Sequence, residues 1–147
     1  PEWVTCGLGG WRPWRCVSRA TMRAFLRETM LAVREEGAAP ITVGLASVRG
    51  LDLVRGLGLD VYQVHWYDHV DHPSTLSTPA RDHALDAPLL LGEFPTLRSS
   101  QSPVGIVSAV EHAGYAGAFG WSLCADDAFS SEAGCAEAAR VGSGPRT

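Results

Sequence analysis

Apolar positions along the chain follow two different periods. Met22, Phe25, Leu26, Met30 and Val33 recur at three- and four-residue steps, which lays an apolar face along a helix and predicts a core-facing stripe. Ser18 can cap that helix at its start, and Gly37 stops it after a run of about 19–36. Elsewhere the apolar residues cluster in short runs. Residues 41–46 (Ile-Thr-Val-Gly-Leu-Ala) predict a strand, 51–57 a short helix ended by Gly58, and 61–67 a second strand. A long connection follows, with Pro73, Pro79 and a short polar helix over 80–85. Leu89-Leu90-Leu91 predicts a third strand buried on both faces, with Glu93 just past its carboxyl end. Residues 104–113 form an amphipathic helix ended by Gly114, and 116–122 a fourth strand. Residues 130–140 are weakly helical, and 142–147 predict a frayed tail.

Strand and helix in alternation mean βαβ units and a parallel sheet. Strand starts near 41, 61, 88 and 116 suit a (β/α)8 barrel, of which four units are half. Four parallel strands standing alone would leave two apolar edges unpaired. The expected fold class is therefore α/β, the C-terminal half of a TIM barrel, with residues 1–147 as one partial domain. The rival is a small flavodoxin-like sheet, which would need an anion-binding glycine turn. Gly7-Leu8-Gly9-Gly10 follows no clear strand and lacks the G-x-G-x-x-G spacing.

Composition narrows the function. A chain of 147 residues with 46% hydrophobic and 19% charged residues is globular rather than disordered. The net charge is −4 and the twelve basic residues are scattered, which argues against nucleic acid as a partner. No apolar run approaches the ~20 residues that cross a membrane. The chain starts at Pro1 with no signal-peptide pattern, and is expected to be part of something longer. Cys6 and Cys16 flank one loop and Cys124 and Cys135 another. Each pair is either a local disulfide or two idle thiols, and spacing leaves both open. None forms the C-x-x-C of a zinc or redox site.

The chemistry gathers at the carboxyl ends of the strands, where parallel α/β folds place it. His65 and Tyr67, two residues apart, share a face of the second strand. Glu93 ends the third strand and Trp121 the fourth. A phenol beside a carboxylate can keep it ionised and orient it. An indole face is a stacking surface for a sugar ring.

These residues resemble a family. His65-Trp66-Tyr67, Gly92-Glu93-Phe94 and Trp121 look like the ends of strands 6, 7 and 8 of clan A glycoside hydrolases, such as the cellulases and β-mannanases of glycoside hydrolase family 5. Pro1-Glu2-Trp3 would continue the Asn-Glu-Pro that ends strand 4. The resemblance implies a retaining β-glycosidase acting on a β-glucan or β-mannan, with no cofactor and no metal, secreted from the cell. Glu93 would be the nucleophile, Tyr67 would orient it, and His65 would help bind or orient there. Trp121 would floor the sugar subsite, and Trp66, Trp11 and Trp14 are further candidates for substrate binding. The acid/base Glu would lie immediately before Pro1, in the missing N-terminal half, so the chain alone should be nearly inactive.

Two other classes compete. One is a non-catalytic carbohydrate-binding relative of the barrel. The other is a metal-dependent hydrolase using His65, Asp68, His69, Asp71 and His72, although a polar loop with solvated charges explains that cluster more simply. Gly120-Trp121-Ser122-Leu123-Cys124 lacks the closing glycine of a nucleophile elbow. His83 and His112 read as surface residues.

Overall fold

The structure is a computed structural model, and it describes residues 1, 4–5, 16–125 and 127–142. In chain order it comprises α1 (Arg19–Glu36), β1 (Gly44–Leu45), α2 (Leu51–Val54), β2 (Tyr62–His65), β3 (Leu89–Pro95), α3 (Pro103–His112), β4 (Gly117–Trp121) and α4 (Glu132–Gly142). Short 3-10 turns fall at Val48–Gly50, Pro73–Ser77 and Ala80–His83. The four strands form one sheet in the order β1-β2-β3-β4, every neighbouring pair parallel. This is the α/β arrangement the strand–helix alternation requires.

Local signals account for the helix boundaries. Ser18 Oγ accepts the Thr21 N–H at 3.0 Å, and Ser102 Oγ accepts the Gly105 N–H at 3.0 Å. Pro103 opens α3, where a missing N–H costs nothing. Gly114 (φ +81°) follows α3 in a left-handed conformation that suits glycine. Several elements are shorter than expected. The first strand pairs only over Gly44–Leu45, and the second helix is a single turn, Leu51–Val54. The 80–85 helix is the 3-10 turn Ala80–His83, and a further turn, Pro73–Ser77, is capped by the His72 side chain accepting the Ser74 N–H.

The α1 stripe divides. Leu26 and Met30 are buried and Met22 packs on the core, whereas Phe25 is 59% and Val33 49% exposed. Residues four apart line up on one ridge of a helix, and the ridge three apart diverges from it. The ridge through Met22, Leu26 and Met30 meets the core. The Phe25–Thr29–Val33 ridge lies beside it at the surface.

One face of the sheet carries the core. Tyr62, Val64 and Trp66 from β2 and its end join Leu89, Leu91 and Phe94 of β3, packed with Ile106 and Val110 of α3. The Tyr62 hydroxyl donates to Asp86 Oδ1 at 2.5 Å and accepts the Gly56 N–H at 3.1 Å. Gln63, His65, Leu90 and Glu93 are all incompletely buried. Leu90 therefore departs from the expectation that the third strand is buried on both faces.

Strand β3 does not keep a period of two. Its burial runs buried, intermediate, buried, intermediate, intermediate, buried from Leu89 to Phe94. The register with β2 and β4 shifts within the same stretch, so that Glu93 pairs with His65. This is a bulge, in which one extra residue reverses the alternation. Strict alternation would place Glu93 with Leu89 and Leu91, under the helices. The bulge at Gly92 returns it to the face that holds Leu90 and His65. Glu93 thus lies inside β3, which continues to Pro95, rather than just past the strand. Among the described residues no helix is long and apolar enough to cross a membrane.

Candidate active site

Glu93 is the centre of the rim. The Tyr67 hydroxyl donates to Glu93 Oε1. On the other side His65 Nδ1 lies 3.6 Å from Glu93 Oε2, with both side chains about a quarter exposed. Burial pushes the Tyr67 phenol well above the ordinary tyrosine value of 10, and the hydrogen bond to Glu93 and the charges of Glu93 and Asp127 push it further. Tyr67 therefore remains a hydrogen-bond donor throughout the ordinary pH range. His65 Nε2 approaches Gln63 Nε2 at 3.4 Å. Small residues make this packing possible. A Cβ on Gly44 would lie 3.1 Å from His65 Nε2, and one on Gly92 would lie 2.1 Å from Gln63 Cγ.

Trp121 ends β4 and is 40% exposed. Its indole N–H donates to Asp127 Oδ2 at 2.7 Å. The Trp121–Ser122 peptide bond is cis. The carbonyl of Trp121 accepts from Thr96 Oγ1 at 2.7 Å, and the Ser131 N–H donates to that same Oγ1 at 2.8 Å. Buried Thr96, just past β3, thus ties the two loops after β3 and β4 together. The carbonyl of Phe129 adds to the tie, accepting from Thr96 N–H at 2.9 Å and Leu97 N–H at 3.0 Å. The Phe129 ring meets Tyr67 edge-on at 5.6 Å and stacks on His69 at 5.7 Å. The Trp121 N–H, together with the Phe129 backbone N–H, holds the Asp127 carboxyl below its ordinary range.

The structure brings His65 and Tyr67 each against Glu93, and the Tyr67–Phe129 ring contact and the hydrogen bonds of Asp127 extend the rim to Trp121. It removes Trp66 from the substrate-binding set. Trp66 is 2% exposed and belongs to the core, because its odd step between His65 and Tyr67 sends it to the helix-covered face. Trp11 and Trp14 lie outside the described residues, as do Glu2, Trp3, the 7–10 glycine loop and 143–147.

The His/Asp loop disperses. Asp68 Oδ1 accepts from the Ser100 N–H and hydroxyl. Burial raises the Asp68 carboxyl, but those hydrogen bonds outweigh it and leave the group below its ordinary range. Asp71 is buried against Ser47 and Arg49, His72 caps a turn, and His69 stacks on Phe129. Among the described residues no group of three or more His, Cys, Asp or Glu is arranged to hold a metal ion. Cys16 is disulfide-bonded and Cys6 lies outside the described residues, whereas Cys124 and Cys135 are free thiols and form no bridge. His83 is half-buried rather than a surface residue, and burial lowers its pKa. His112 Nδ1 lies 2.6 Å from the Ser108 carbonyl.

Sequence reasoning misses Asp127, Thr96 and Phe129. The only sequence signal for them is the pair Asp126-Asp127 in the loop that follows Trp121.

A carboxylate on the open face of a parallel sheet, braced by a phenol and an imidazole, has the chemistry that nucleophilic or acid–base work requires, at the end of the strands where α/β folds place it. The chain is similar to an endo-1,4-beta-mannanase from Eisenia fetida, with a TM-score of 0.76 and 22% identity over 96% of this chain and 45% of that one. It is also similar to a beta-1,4-mannanase from the sea hare Aplysia kurodai, with a TM-score of 0.57 and 22% identity over 76% of this chain and 39% of that one. The chain thus spans less than half the length of these structures, and its sheet corresponds to part of a TIM barrel. No family model matches it, and no curated protein matches it.

Proposed function

We propose that the chain is the back half of the barrel of a secreted, retaining endo-β-1,4-mannanase. The observation that carries this reading is the Glu93 carboxylate, re-aimed by the β3 bulge onto the open face and held between the Tyr67 hydroxyl and His65. The fold likeness to two β-1,4-mannanases supports β-mannan over β-glucan.

In the proposed reaction Glu93 Oε2, the oxygen not engaged by Tyr67, attacks the anomeric carbon. The bond from that carbon to the leaving sugar oxygen breaks, and a glycosyl-enzyme ester forms. A carboxylic acid from the other half of the barrel, about 5–5.5 Å away, protonates the departing oxygen. The resulting carboxylate then takes a proton from water, which attacks the anomeric carbon and frees Glu93. Tyr67 orients the nucleophile, and Trp121 supplies an apolar face for the sugar ring.

The test is trapping in the full-length protein with a 2-fluoro mannoside bearing an activated leaving group, which needs no acid. Mass spectrometry is expected to find the adduct on the peptide holding Glu93. Glu93→Gln should abolish both labelling and turnover of mannan. Label on another carboxylate, or turnover that survives Glu93→Gln, overturns the assignment. Retained saccharide binding with no turnover by the unmodified protein would favour a carbohydrate-binding relative.

A further inference from the structure

Asp127 makes more directed contacts than an exposed loop carboxylate needs. Oδ2 accepts the Trp121 indole N–H at 2.7 Å, and Oδ1 accepts the Phe129 backbone N–H at 2.7 Å. A carboxylate can accept along both oxygens at once, whereas an amide has one accepting oxygen. Each partner is an aromatic residue of the rim. Trp121 is the exposed last residue of β4, so packing alone does not set its indole plane. Phe129 sits edge-on to Tyr67, which itself holds Glu93. The carbonyl of Phe129 is anchored to the backbone after β3. One side chain thereby ties the Trp121 indole to the Phe129 backbone, which is itself anchored just past the strand that carries the carboxylate.

We infer that Asp127 is a positioning residue, clasping Trp121 and Phe129 as the aromatic walls of the saccharide site around Glu93. The inference rests on the reading that a saccharide binds at this rim. It does not depend on which carboxylate is the nucleophile. Stacking on a pyranose ring requires a flat face at a defined tilt. A half-exposed indole released from its partner samples several rotamers, and ordering it again weakens binding.

The experiment uses the full-length protein with Asp127→Ala, Asp127→Asn and Trp121→Phe, and β-1,4-linked mannohexaose as the probe. Turnover is measured in the active protein, and affinity by calorimetry in a Glu93→Gln background. Asp127→Ala should raise KM and lower kcat/KM by up to about a hundredfold, with a shifted tryptophan emission. Asp127→Asn keeps one of the two accepted bonds and should fall between. Trp121→Phe lacks the indole N–H, so adding Asp127→Ala to it should cost less than in the parent protein. Losses that multiply, as for independent sites, overturn the inference, as does Asp127→Ala with unchanged KM and emission. If Asp127→Ala fails to fold, Asp127→Asn and its coupling to Trp121→Phe decide the question. Survival of turnover in Glu93→Gln would defeat the nucleophile assignment alone, and the affinity comparison would still judge Asp127.

Discussion

Tyr67, just past the end of β2, and Glu93, within the neighbouring β3, are 26 positions apart in the chain, and the phenol donates its hydrogen to one carboxylate oxygen while His65 faces the other. A carboxylate held in this way has a fixed plane, with one oxygen bound by the phenol and the other beside the imidazole. Removing the donor leaves the plane loose and part of the charge unpaired. Tyr67→Phe is expected to lower kcat by about ten- to a hundredfold, the equivalent of about 1.5–3 kcal/mol for a hydrogen bond to a charged group. KM should change little. Steady-state kinetics on mannan in the full-length protein checks the split.

Alkaline titration offers a second prediction. The chain has three tyrosines. Burial is the leading cause that raises each of them above 10, and Tyr115 reaches about 12. Their unfolded values lie near 10, below the folded ones. The stability linked to them is therefore fully present below pH 10 and is lost as pH rises through the folded values. Tyrosinate absorbance of the native protein should stay low at pH 10 and rise with unfolding above it. A full three-tyrosine titration near pH 10 in the folded state would contradict the raised phenol values.

The loop tie through Thr96 makes a third. A Cβ on Gly134 would lie 2.3 Å from the Thr96 carbonyl oxygen, which is backbone and cannot swing away. On Gly92 the obstacle is the Gln63 side chain, which can move. Gly134→Ala should cost at least the ~1–3 kcal/mol of ordinary overpacking and lower the melting temperature more than Gly92→Ala. Thr96→Val, which removes the hydroxyl bonded to the Trp121 carbonyl, the Ser131 N–H and, weakly, the Cys135 thiol in a buried position, should cost about 1–3 kcal/mol. Thermal melts of the three variants give the ranking.

The two tryptophans near the rim should behave oppositely. Trp66 is core, and its buried indole N–H has no hydrogen-bond partner among the described residues, so Trp66→Phe loses packing volume without losing a bond to any of them. It should lower the melting temperature and leave KM unchanged. Trp121→Ala should raise KM with little change in melting temperature. A rise in KM for Trp66→Phe would return that residue to the binding surface.

Much of this molecule is legible locally. Ser18 and Ser102 announce their helices because a hydroxyl at the N-cap satisfies a backbone N–H three residues on. The apolar runs at 61–67 and 89–91 announce buried strands, and the order His65, Tyr67, Glu93, Trp121 announces a rim. Even the misassigned Trp66 was decidable, since a step of two that unites His65 and Tyr67 excludes the residue between them. The exposed Phe25 and Val33 were not, because both stripes of α1 are apolar and only neighbours in space choose between them.

What the sequence by itself determined is the inventory and its order: parallel βα units, capped helices, and a phenol, carboxylate and indole in that order along the second, third and fourth strands. These follow from propensity and periodicity, which act over a few residues. Only the tertiary structure decided where the groups point. Glu93 reaches the open face because the pairing of β3 with β2 and β4 slips at Gly92. Trp121 is held because Asp127 and Thr96 bind it from two different loops. Register and loop-to-loop hydrogen bonds join residues distant in the chain, so their geometry emerges only when the strands are side by side.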